Sequence, residues 1–242
     1  DNVQYAELMD FCYVWLRRLV GRDIPYFDTA STRTDGELTG NKTAGRGLDH
    51  FCDGLSRVYC AAARALKPGG LFAFTYHHND PEAYLPVAVA LLDAGLTATA
   101  SLPCPAEMAA SLHIARTSSS VVDTILCARK ALPRAATSAL AVSDLPHTLH
   151  EQAAQLRAGG VEPSAGDLRC MALGLVTVIA VNQLSRTWSA AQPAARRLAR
   201  VRTVVDTTLK QLGGLDRLAD TRAYLKNWTE PGSRGAPLAR RV

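Results

Sequence analysis

The segment ALKPGGLFAFTYHH (65–78) constrains the fold of this chain more than any other. A helical apolar period runs into Lys67-Pro68-Gly69-Gly70, where a proline and two glycines stop it. The apolar run LFAFTYH (71–77) follows at once and has the length and composition of a strand. A helix that turns sharply into a short apolar strand is a building unit of α/β layers, and the flanking segments repeat the alternation.

Upstream, Phe51, Leu55, Val58, Tyr59, Ala62 and Leu66 recur at the helical period, which predicts a helix from about Asp49 to Leu66. Before it, residues 4–20 predict an amphipathic helix, with Leu8, Phe11, Cys12, Trp15, Leu16 and Leu19 on one face and Gly21 as its stop. Residues 28–46 are polar and read as a long loop. Downstream, Asp80 is placed as an N-cap and Pro81 as the first residue of a helix that closes at Gly95. LTATASL (96–102) and VVDTILCAR (121–129) predict two more strands. No full helix fits between them, so antiparallel pairing is expected.

The texture changes after Lys130, with a boundary expected at Leu132-Pro133. Beyond it the periodicity is helical: one helix ends at Gly159-Gly160, and one over 167–188 is apolar nearly all round and so is expected to be buried. A third places Leu198, Val201, Val205, Leu209 and Leu212 on one face. The longest apolar run, Cys170 to Val181, is 12 residues and suits a buried helix better than a membrane span. The expected organisation is a sheet-containing region over 1–132, a basic helical region over 133–230 and a disordered tail over 231–242.

Charge is unevenly shared. Residues 1–132 hold 12 Lys and Arg against 14 Asp and Glu, whereas residues 133–242 hold 15 against 8. The basic half suits a polyanion such as DNA, and equally a solvated Arg-rich helical surface. The six cysteines form no CxxC pair, which disfavours structural zinc or a disulfide framework and fits a reducing cytoplasm. The chain opens on Asp1, with neither an initiator Met nor a basic-then-apolar leader, so it is expected to be processed or a fragment.

Three segments in order, DNVQYAELMDFCYVWLRR, HFCDGLSRVYCAAARALKPGGLFAFTYHHND and CPAEM…SSSVVDTILCARK, resemble the C-terminal half of large adenine-specific DNA methylases. These carry an N-terminal domain of unknown function and occur in prokaryotic restriction or defence clusters. The resemblance covers residues 1–130 and extends loosely over 159–183. It implies the last three strands of a Rossmann-like methyltransferase sheet, followed by an all-α region. It also implies S-adenosyl-L-methionine as cofactor, DNA as substrate, and an N-terminal methylase half or defence-system proteins as partners. No membrane partner is expected. The family's (D/N)PPY motif, which holds a flipped adenine, would fall just before Asp1, and the Gly-rich cofactor loop further upstream. Residues 1–70 hold no GxG in the strand–turn–helix context that such a loop needs. This chain alone is therefore expected to be inactive, with no catalytic residue or metal site assigned. The preference for N6 of adenine over N4 of cytosine rests on the resemblance only.

In open α/β sheets ligands sit beyond the carboxyl ends of strands. On that basis Asp1, Asn2 and Tyr5 are candidates near the base or methyl donor, against a helix cap and a core tyrosine as the alternative. Tyr76, His77 and His78 end a strand on the same rim and could line the base pocket, make structural hydrogen bonds, or bind metal. Arg33, Lys42 and Arg46 in the loop, and Arg196, Arg197, Arg200 and Arg202 on the last helix, are candidates for DNA-backbone contact. Two other functions stay open: a non-catalytic nucleic-acid-binding or assembly module, and a remnant of a small-molecule methyltransferase. A sheet lacking its central strands has a bare edge, so the chain is expected to be unstable, to aggregate, or to depend on a partner.

Overall fold

The structure, a computed structural model, describes residues 5–21, 23–34, 36–39, 45–106, 121–130 and 140–220. Helices α1 (Tyr5–Val20) and α2 (Leu48–Ala65) lead into strand β1 (Leu71–Tyr76). Helix α3 (Pro81–Asp93) connects β1 to β2 (Leu96–Pro105), and β3 (Val122–Lys130) completes the sheet. Four helices follow: α4 (Leu145–Ala158), α5 (Ala165–Leu184), α6 (Ala194–Gln211) and the single turn α7 (Leu215–Leu218). The expected boundary at 132/133 and the expected tail over 231–242 lie outside the described residues.

Local chemistry explains the element ends. Gly69, at φ 71°, takes the left-handed turn between α2 and β1. Asp80 accepts a hydrogen bond from Glu82 N at 2.9 Å, with Pro81 following it at the start of α3. Ser164 and Asp167 form a reciprocal capping box at the start of α5. Asp167 also accepts from Val121 N and Val122 N, at 2.7 and 2.9 Å, and so ties the start of α5 to the start of β3.

The sheet order is β1-β3-β2, with β3 antiparallel to both neighbours. The last strand in sequence is thus inserted between two strands that run the same way and are joined through α3. Register runs from Leu71↔Arg129 to Tyr76↔Thr124 on one side, and from Leu96↔Lys130 to Pro105↔Val122 on the other, with a bulge between Ala98 and Ala100. β2 is three residues longer than 96–102 because its end stays paired to β3 as far as Val122.

One face of the sheet is packed. Val122, Thr124, Leu126 and Ala128 are buried there, and Phe72, Phe74 and Tyr76 pack on the same core. Helix α5 lies against β2 and β3, and α3 is beside it. Fifteen residues of α5 are buried, as its all-round apolar sequence predicts. With its 3-10 extension (Ala165–Thr187) it is long and apolar enough to cross a membrane, yet 78% of its most apolar stretch is buried inside this fold. The C-terminal helices and the sheet share this one core. The opposite face carries Leu71 and Leu102, 48% and 47% exposed, beside the exposed Ala73 and Thr75.

The two edges differ. Gln152 of α4 donates to the Ser101 carbonyl at 2.7 Å and Asn182 of α5 to the Ala98 carbonyl at 3.0 Å, which fastens both helices to β2. β1 has β3 on one side and, among the described residues, no strand on the other.

Two helix faces depart from the periodicity. In α2 the buried positions are Cys52, Gly54, Ser56, Tyr59 and Ala63, whereas Val58 is 51% exposed. Small residues let α2 lie close to α3, and Leu38 fills the space at Gly54, where an added Cβ would stand 2.0 Å from its Cδ2. In α1 the whole apolar stripe is open: Leu8 is 57%, Phe11 78%, Trp15 59% and Leu19 76% exposed. The helix packs instead by its polar side. Asp10 accepts from Ser31 Oγ, Thr32 N and Thr32 Oγ1 at 2.6–2.7 Å, and Tyr13 stacks on Phe27 while bonding to Thr29. Those bonds, from Ser31 above all, hold the Asp10 carboxyl down at about 2.

Candidate functional site at the carboxyl end of β1

β1 ends on Tyr76, and His77 and His78 follow in the turn to α3. The alternation of the strand sends Tyr76 into the packed face, where it meets Tyr84 edge-on at 5.0 Å. Its hydroxyl donates to the Ala83 carbonyl at 2.8 Å, and burial pushes its pKa up to about 12. Tyr76 is therefore a fixed part of the core between β1 and α3. His78 Nδ1 accepts from Asp80 N at 2.9 Å and so braces the entry to α3.

His77 is the exception on this rim, with a side chain 38% exposed. Its Nδ1 lies 3.1 Å from the Val122 carbonyl, 3.1 Å from Asp123 Oδ1 and 3.9 Å from Cys170 Sγ. Two of these partners are oxygens that only accept, so Nδ1 carries a proton. The Cys170 sulfur first, then the Val122 carbonyl and Asp123, favour the imidazolium and outweigh partial burial, raising the pKa to about 9. Below that pH the ring is a cation already paired with Asp123 and unsuited to act as a base.

Beneath His77 the floor is closed. Cys170 is fully buried, and Tyr84 Oη sits 3.2 Å from its sulfur. Cys104, beside Asp123, has its thiol pushed up by burial, so its sulfur is not presented as a thiolate nucleophile. No group of three or more His, Cys, Asp or Glu could hold a metal among the described residues. Of the alternatives for Tyr76, His77 and His78, the geometry provides structural hydrogen bonding throughout, with His77 partly exposed and paired to Asp123.

No family model, curated protein or solved structure matches the chain.

The other predicted residues are scattered. Asp1, Asn2 and Lys42 lie outside the described residues. Tyr5, 65% exposed, begins α1. Arg33 is paired with Glu7 at 3.2 Å and approaches Asp10, on the loop folded against α1. Arg46 is half-buried just before α2. The four arginines of α6 form no free patch. Arg197, its side chain 8% exposed, is paired with both Asp93 and Asp53 and donates to the Gln192 carbonyl. Asp93 also accepts from Ser56 Oγ and Trp188 Nε1, at 2.7 and 2.8 Å, so this network locks α6 onto α2 and α3. Arg202 grips Glu82 with two nitrogens, Arg200 donates to Thr187 and lies over Trp188, and Arg196 reaches Gln192.

Sequence reasoning missed Asp123, Cys170 and the Asp53–Arg197–Asp93 triad. Asp123 sits at an ordinary strand position, and Cys170 is 93 residues from His77, so no local pattern signals either. The four α6 arginines read as one basic cluster because a count of charges cannot tell a solvated arginine from one locked on a distant carboxylate.

Proposed function

We propose that the chain is the closing part of an S-adenosylmethionine-dependent DNA methyltransferase acting on N6 of adenine, working as part of a larger catalytic unit. The observation that carries this is the sheet: β3 inserted antiparallel between the co-directional β1 and β2, with no strand among the described residues on the other edge of β1. That arrangement matches the ending of the methyltransferase sheet implied by the family resemblance. The bare second face, with Leu71 and Leu102, and the uncovered stripe of α1 fit a molecule that continues past β1.

The described residues at the carboxyl end of β1 form no cradle for the cofactor by themselves. On the rim beyond β1, Tyr76 and His78 are used by the fold, and His77 is partly exposed but paired with Asp123. No step of methyl transfer is assigned to this chain. Its contribution would be one wall of the cleft, with the His77–Asp123 pair at its rim.

The test is to join the chain in frame to the sequence encoded upstream of Asp1 and supply DNA with tritiated S-adenosylmethionine. Label in N6-methyladenine from the joined protein, and none from the chain alone, is the expected result. Transfer by the chain alone, an upstream sequence with neither a Gly-rich loop nor a (D/N)PPY, or an inactive joined protein would overturn the proposal. DNA binding by an inactive joined protein would favour a non-catalytic nucleic-acid-binding or assembly module, which the structural use of Tyr76 and His78 already favours over a chain that is catalytic alone.

A further inference from the structure

Away from the β1 rim, an open groove of about 740 Å³ runs along α2, lined by His50, Asp53, Arg57, Cys60, Arg64 and Arg197 among others. His50, Arg57 and Arg64 are spaced by seven residues, so they project from nearly one side of the helix at steps of about 10 Å. Arg57 and Arg64 are exposed, and among the described residues neither makes an ion pair or hydrogen bond. The two carboxylates in the groove are already taken: Asp53 and Asp93 both pair with Arg197, and Asp93 further holds Ser56 and Trp188. Lys130, in an adjoining recess with Arg64, is spent on the Ala63 and Leu66 carbonyls at the end of α2. Among the described residues the groove therefore offers two unpaired guanidiniums, while Asp53 and Asp93 share the single guanidinium of Arg197, so three arginines against two carboxylates leave the lining about one charge positive.

We propose that this groove binds the sugar–phosphate backbone of nucleic acid, with Arg57 and Arg64 as the phosphate contacts. The arginines stand in line along the groove rather than facing each other across it. That suits an extended polyanion, whose phosphates repeat along the chain. Guanidinium forks match phosphate oxygens, and such contacts carry register without sequence information. Neither the rim nor methyl transfer is needed for this site, so it can stand or fall apart from the catalytic proposal.

The test uses the full chain and a fluorescein-labelled DNA duplex in anisotropy titrations across a salt series. The R57Q/R64Q double variant should flatten the slope of log K against log salt by about 1.8, and each single variant by about 0.9. Circular dichroism would confirm that the fold is kept, and R18Q on α1 should leave the slope unchanged. An unchanged slope in the double variant, or no salt-dependent binding by the native chain, would overturn the assignment. So would equal displacement by inorganic phosphate at matched ionic strength, which would mark a small-anion pocket instead.

Discussion

Gly174 shows how narrow the tolerances of this core are. It sits where α5 crosses β2 and β3, and an added Cβ would stand 2.2 Å from Ser101 Oγ and 3.1 Å from Thr124 Cγ2. Gly174→Ala is expected to lower stability by about 1–3 kcal/mol through overpacking. Pairing it with Ser101→Gly should recover part of the loss, which a double-mutant cycle in urea would measure. His77 gives a second prediction. Its folded pKa, about 9, lies above the ordinary 6.5, so the folded state binds the proton more tightly. The stabilisation is complete below about pH 6.5 and is lost as pH rises through about 9. His77→Gln should flatten stability over that window, and an NMR titration of the ring should show a midpoint well above 7.

At the scale of elements, most of the architecture was legible. Helix and strand order followed from apolar periodicity and from Lys67-Pro68-Gly69-Gly70, Asp80-Pro81 and Gly95, because those residues act on their own backbone. Faces were less legible. The buried side of α2 is set by close approach to α3, which selects Cys52, Ser56 and Ala63 over Val58. In α1 the periodicity was real, but the partner it implies is absent from the described fold, and Asp10 and Tyr13 hold the helix from its polar side. The candidate site was the least legible part, since Tyr76, His77 and Asp123 acquire their roles from pairing across the sheet. The open stripe of α1 carries its own prediction. Phe11→Ser together with Leu19→Ser should reduce self-association in sedimentation velocity while leaving the urea midpoint within about 0.5 kcal/mol, as expected for exposed positions. A large loss of stability would show that the stripe is covered.

For the whole molecule, the described residues pack one face of the sheet, leave Leu71 and Leu102 exposed on the other, and give β1 a strand on one side only. Hydrophobic surface near Leu71 and Leu102 should bind a reporter dye such as ANS in the chain alone, and the signal should fall when the upstream sequence is joined to it. Equal dye binding by both proteins would mean that the joined segment does not cover this face.

The helix donors on β2 also limit what the molecule can do when left to itself. A ribbon that grows without end needs every subunit to offer two mating borders, and here one border is occupied by Gln152 and Asn182. Among the described residues each copy retains a single open strand border, at β1, so mispairing through strands should stop at a closed twofold pair. Fibrils would first require α4 and α5 to peel away.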